Sequence, residues 1–165
     1  MTETFDENMI RKAVKAAIAE KGTDPSNMPI ASVVVLDGKV LATGVNRTAQ
    51  DCDATAHAEI VALRAAGKQA GEMRIEGATL YSTLQPCGMC TMASIWAGVS
   101  RIVYGAGRDD VHEMYFEDRH LSTLDFVADA YKDDLTLEGG VLAEDCARLY
   151  YGPHDDPPEE VQGND

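Results

Sequence analysis

The chain has 165 residues, 45% of them apolar, enough for one domain with a buried core. It carries 28 Asp and Glu against 14 Lys and Arg, a formal charge of −14, which argues against a broad basic face for nucleic-acid phosphates. No run of about 18 apolar residues offers a membrane span, and the acidic, polar start MTETFDENMIRK does not read as a secretory signal, so a cytoplasmic location is expected.

Residues 5–22 place Met9, Ile10, Ala13, Val14, Ala17 and Ile18 at helical spacing, with Asp6 or Asn8 as the start and Gly22 as the stop. IASVVVLDGKVLATGVN reads as two strands turning at Asp37-Gly38, a strong hairpin signal. A second helix is expected over 55–69 with Thr55 as its cap, then a short buried strand over 78–84. A third helix over 87–98 ends at Gly98, and an apolar strand covers 100–107. Helix over 119–131, strand over 133–140 and a last helix over 141–152 complete the order. Strands joined by helical crossovers after an initial hairpin predict a three-layer α/β domain over 1–152. The remaining residues, 153–165, are rich in Pro and acid and are expected to form a disordered tail.

Four cysteines are present, Cys52, Cys87, Cys90 and Cys146. In a cytosolic chain they do not suggest a disulfide framework. Cys146 fits a buried position in the last helix. Cys87 and Cys90 stand three apart in PCGMC, at a strand-to-helix junction. Alone, that pattern fits a redox pair, half a zinc site or chance. HAE at 57–59 favours the metal. His57 supplies a third ligand type near the start of the preceding helix, and Glu59 sits two residues on. Three protein ligands with a place for water is the pattern of catalytic zinc. H-x-E followed by P-C-x-x-C is the signature of zinc deaminases.

On these residues the chain resembles the cytidine and deoxycytidylate deaminase superfamily, within it the branch of guanine deaminases and tRNA adenosine deaminases. The resemblance covers residues 5–152 and also rests on PIASVVVLDGKVLATGVN, DATAHAEIVALRAA, IWAGVSRIVYGA and GGVLAEDC. It implies an α/β/α cytidine deaminase-like fold with a central five-stranded mixed sheet and a homodimer. It also implies one zinc per chain on His57, Cys87 and Cys90, and hydrolytic release of ammonia with Glu59 as the proton carrier.

The resemblance also implies substrate contacts at Asn46, at the Ala58 backbone, and at Pro29 and Ile30 by the first strand. Trp96 matches an aromatic pocket residue of guanine deaminases. Phe116-Glu117-Asp118 matches a stretch whose final acid accepts from a purine's N1–H and amino edge. These two features favour guanine or a related amino-purine or triazine. Cytosine or cytidine and tRNA adenosine are the alternative substrates. The acidic charge and the absence of a basic C-terminal helix make a nucleic-acid partner unexpected, leaving a small-molecule base or nucleoside. Two positions depart from the family pattern: Ala31 replaces a glycine and Gln85 replaces a glutamate before Pro86-Cys87. A non-catalytic alternative is a zinc-stabilised binding module, with Cys52 as fourth ligand. His112 and His120 are expected in loops or on the surface, and His154 in the tail.

Overall fold

The computed structural model describes residues 3–21, 28–116, 122–129 and 134–158. Helix α1 spans Phe5–Lys21. Its start is a reciprocal cap and not Asp6 or Asn8. Thr4 Oγ1 accepts from the Glu7 backbone N–H at 3.2 Å, and Glu7 Oε2 accepts from the Thr4 N–H at 2.7 Å. Gly22, the expected stop, lies outside the described residues.

Strands β1 (Ala31–Leu36) and β2 (Lys39–Val45) form the expected hairpin. Asp37 and Gly38 both take positive φ, +50° and +72°, as a two-residue turn matching strand twist requires. Three further strands complete the sheet: β3 (Thr79–Leu84), β4 (Arg101–Ala106) and β5 (Thr136–Glu138), in the order β2-β1-β3-β4-β5. β1 is antiparallel to β2 and β3, while β3, β4 and β5 run parallel. The first residues of β1 therefore lie beside the last residues of β2 and β3, with the end of β4 next. One edge of the sheet collects residues from four strands, the edge where open α/β sheets bind ligands.

Between β2 and β3 lie the short α2 (Thr48–Asp51) and α3 (Ala58–Ala70), and α4 (Gly88–Trp96) joins β3 to β4. α3 packs over one face, where Ala62, Leu63 and Ala66 meet Val34, Leu80 and Ile102. The other face buries Val33, Tyr81 and Val103 against Ile10, Ala13 and Ala17 of α1 and against Cys146. Cys146 belongs to α6 (Ala143–Ala147) and is fully buried, as expected. A Cβ on Gly105 would stand 2.1 Å from its sulfur, so glycine there lets α6 lie directly on β4.

The C-terminal elements are shorter than the sequence suggests. α5 covers Thr123–Ala128 within the expected 119–131, and α6 covers only Ala143–Ala147 of 141–152. Ser122 caps α5 by accepting from the Asp125 N–H at 3.2 Å, so the helix starts there. Past Gly152, Asp155 accepts from the Gly152 N–H, and Pro157 is buried. The chain is thus described six residues into the expected tail; 159–165 lie outside the described residues. No helix among the described residues is long and apolar enough to cross a membrane.

Candidate metal and catalytic site

α3 and α4 both begin at the ligand-binding edge. His57 is the residue before α3 and Cys87 the residue before α4, each in extended backbone conformation. Neither side chain caps its helix, which leaves both directed to other work. The expected cap Thr55 does not cap α3 either. Its hydroxyl and its N–H both donate to Asp53 Oδ1, at 2.7 and 2.8 Å, in the loop before the helix. Cys90 lies in the first turn of α4 and is fully buried.

One ligand atom from each of His57, Cys87 and Cys90 lies within 4.8 Å of the other two, and Cys87 Sγ stands 3.8 Å from His57 Nδ1. Zn–S bonds of about 2.3 Å and Zn–N bonds of about 2.0 Å at tetrahedral angles separate such atoms by about 3.5 Å. The three donors thus fit zinc in both chemistry and spacing. The Cys90 thiol beside it, and next His57, hold Cys87 down at about 4, despite burial. Cys90 is pushed up, first by that hydrogen bond and then by burial. A divalent cation favours the thiolate of both.

Glu59 enters from the first turn of α3 and is 4% exposed. Burial pushes its carboxyl up, and the negative charge of Cys87 adds to that. Its Oε2 stands 3.6 Å from Cys90 Sγ and its Oε1 accepts from the Ser82 hydroxyl at 3.3 Å. The carboxylate therefore faces the ligand cluster from the protein side.

The same edge gathers most of the other expected contacts. Pro29 and Ile30 precede β1, and the Ile30 carbonyl accepts from the Asn46 N–H at 2.9 Å. Asn46 is 8% exposed and donates from Nδ2 to Thr48 Oγ1. Ala58 is buried at the start of α3. Phe116 is buried in the core cluster that also holds Ile10 and Cys146, with the Arg108 guanidinium 4.9 Å from its ring centre. Gln85 is buried and donates to Thr123 Oγ1 at 2.9 Å, so the amide ties the strand before Cys87 to α5. Asp118, Glu117 and His120 lie outside the described residues.

Trp96 is placed differently from the expectation of a pocket-lining ring. It is the last residue of α4 and 72% exposed, and nine residues of helix put it about 13 Å along the axis from Cys87. The Cys52 alternative also fails geometrically. Its side chain is exposed, lies against the Ala49 carbonyl and is not in the metal cluster. His112 has a structural part, accepting from the Met114 N–H to cap a single 3-10 turn at 113–115. Sequence reasoning missed Ser32 and Ser82. Their signal was present as small hydroxyl residues two positions from the apolar Val34 and Leu80, and so on the same face of the sheet.

Residues 3–106 match the family model described as the cytidine and deoxycytidylate deaminase zinc-binding region. A tRNA-specific adenosine deaminase of Haemophilus influenzae is 35% identical over 147 residues, covering 87% of this chain and 80% of that one. Among solved structures, one from a study of A-to-I editing by tRNA:A34 deaminases superposes with a TM-score of 0.70 at 32% identity, covering 86% of this chain and 98% of the other. Another, in complex with 2,6-diaminopurine, superposes at 0.75 with 26% identity, covering 87% and 78%. With the ligand trio, the buried carboxylate and the sheet order all in agreement, this chain belongs to the cytidine and deoxycytidylate deaminase family and is a zinc-dependent hydrolase acting on C–N bonds.

Proposed function

We propose that the protein hydrolytically deaminates adenosine within transfer RNA. The observation that carries this reading is the similarity to a tRNA-specific adenosine deaminase along most of both chains. It outweighs the sequence preference for free guanine, which leaned on Trp96 and Asp118. Trp96 stands away from the ligand trio, and Asp118 lies outside the described residues.

Zinc, when bound by His57, Cys87 and Cys90, lowers the pKa of a water toward neutrality. Glu59 supplies the proton handling. Oε2, on the Cys90 side, takes a proton from the attacking water and passes it to the ring nitrogen beside the amino-bearing carbon as the water oxygen bonds to that carbon; it then carries the water's second proton to the amino group, which leaves as ammonia when the C–N bond breaks. Asn46, the Ala58 backbone, Pro29, Ile30 and Phe116 hold the base. Burial of Pro29, Asn46 and Ala58 limits bulk water at the reacting face.

A second reading, deamination of a free amino-purine, draws support from the relative solved with 2,6-diaminopurine and from the net charge of −14. Asp118 would be its acceptor for the purine edge. The deciding experiment measures inosine in a tRNA anticodon stem-loop and ammonia from guanine, 2,6-diaminopurine and cytidine. Inosine formation that falls steeply with added salt supports the tRNA reading. Turnover of guanine or diaminopurine alone supports the second, and turnover of cytidine alone overturns both.

The protein also presents a surface suited to a homodimer. Met89, Met92, Ala93 and Trp96 follow i, i+3, i+4, i+7 spacing on α4, with Met89 and Trp96 exposed. Trp96→Glu is expected to shift the protein toward monomer in sedimentation. A wild-type monomer at micromolar concentration would refute this part.

A further inference from the structure

We infer that Ser82, backed by Ser32, is a positioning residue that holds the Glu59 carboxylate in its working orientation. The inference rests on Glu59 being the proton carrier and adds what keeps it in place.

The observation is a row of three small residues across three strands. Ser32 of β1 pairs with Gly44 of β2 on one side and with Ser82 of β3 on the other. The first turn of α3 sits on this row. A Cβ on Gly44 would stand 2.5 Å from both the Ala58 carbonyl oxygen and the Ala62 nitrogen, so helix and strand touch backbone to backbone. That close seat brings Glu59 within reach of the sheet. Val34 and Leu80, next along the same face, are apolar and fully buried.

Ser32 and Ser82 are themselves fully buried. Hydroxyls in such a place are costly unless they are hydrogen-bonded. Here they form a directed chain: Ser32 Oγ donates to Ser82 Oγ at 3.1 Å, and Ser82 Oγ donates to Glu59 Oε1 at 3.3 Å. A hydroxyl has one proton to give, and Ser82 gives it to the carboxylate. The two oxygens of Glu59 thereby become unequal. Oε1 is anchored to the sheet, while Oε2 faces Cys90 of the ligand trio. The chain begins at a fully buried serine, so it braces the carboxylate and does not conduct protons to solvent.

The test compares Ser82→Thr with Ser82→Val, near-identical shapes that differ in the hydroxyl, both zinc-loaded. Both variants should hold one zinc per chain and melt within a few degrees of each other. Threonine should keep kcat within about threefold of wild type. Valine should lose about tenfold or more in kcat with KM nearly unchanged, because an orienting contact acts on the reacting state. Crystal structures should show Glu59 in one rotamer with threonine and in several with valine. If crowding unfolds both, Ser82→Ala takes the place of valine with wild type as its partner. Equal kcat in the pair, or a single unchanged Glu59 rotamer without the hydroxyl, overturns the proposal. The rotamer readout needs no turnover, so it decides this point even where the tRNA substrate proves wrong.

Discussion

The two ends of the sheet handle charge in opposite ways. At the zinc end, Glu59 is buried and its side-chain partners are the Ser82 hydroxyl and the Cys90 thiol, neither of them a cation. At the other end, Arg101 at the start of β4 grips Asp6 of α1 through two bonds of 2.9 and 2.7 Å and also pairs with Glu138 of β5. Tyr81 of β3 donates to the same Asp6 at 2.7 Å. That cluster ties α1 and three strands together, with one guanidinium shared between two carboxylates. A buried acid held by neutral hydrogen-bond partners, its carboxyl pushed up by burial, is where proton chemistry is found. A half-buried cluster whose carboxylates share a guanidinium is a fastening.

Substitutions at the two ends should therefore separate activity from stability. The largest effect is expected for Glu59→Gln, which removes the proposed proton carrier. Turnover should fall about 10³-fold or more while zinc content and melting temperature hold or rise. Turnover within a few-fold of wild type, by ammonia release, would end the comparison.

Cys87→Ala should come next, reducing zinc well below one per chain by metal analysis. Chelation of the wild type should lower both activity and melting temperature, with zinc restoring both. Cys146→Ala, on the opposite face, should leave zinc content alone.

Gly44→Ala tests the seat of α3. The added methyl meets backbone, which cannot give way cheaply, so a loss of about 2–3 kcal/mol in stability is expected. kcat should fall as well, because the displaced helix carries Glu59 and follows His57. An unchanged denaturation midpoint would show that α3 does not press on β2.

The smallest effect on activity belongs to Arg101→Met. Stability should drop by about 1–2 kcal/mol while kcat/KM stays within about twofold. The pH dependence gives the sharper version. The Arg101 guanidinium above all, with the Tyr81 hydroxyl, holds Asp6 below its ordinary value of 3.8 against the opposing effect of burial. A depressed carboxyl contributes stability that is complete above its unfolded pKa and disappears as pH falls through its folded one. The gap between wild type and Arg101→Met should be level from pH 5 to 7 and narrow below about pH 4. A gap that stays constant to pH 2 would show that Asp6 is not the partner that matters.

Much of the site could be read from local sequence. HAE and PCGMC each span a few residues at a helix start, so backbone geometry alone aims their side chains the same way. The Asp37-Gly38 turn and the Gly98 stop were legible for the same reason, since both residues carry their own conformational preference. The Thr4–Glu7 cap was equally local and was overlooked in favour of Asp6, which the fold sends to Arg101 instead. Trp96 needed the fold, because a position counted from Cys90 does not say that the residue closes α4 and lies exposed.

By itself, then, the sequence determined the zinc ligands and the α/β/α layering and pointed to Glu59 beside them, all properties of short windows and their periodicity. Only the tertiary structure decided that Gly44, Ser32 and Ser82 form one row beneath Glu59, and that Arg101 closes on Asp6. Those neighbours are separated by tens of residues in the chain. They meet through strand register and the closeness of helix to sheet, which depend on the packing of the whole domain and not on any one segment.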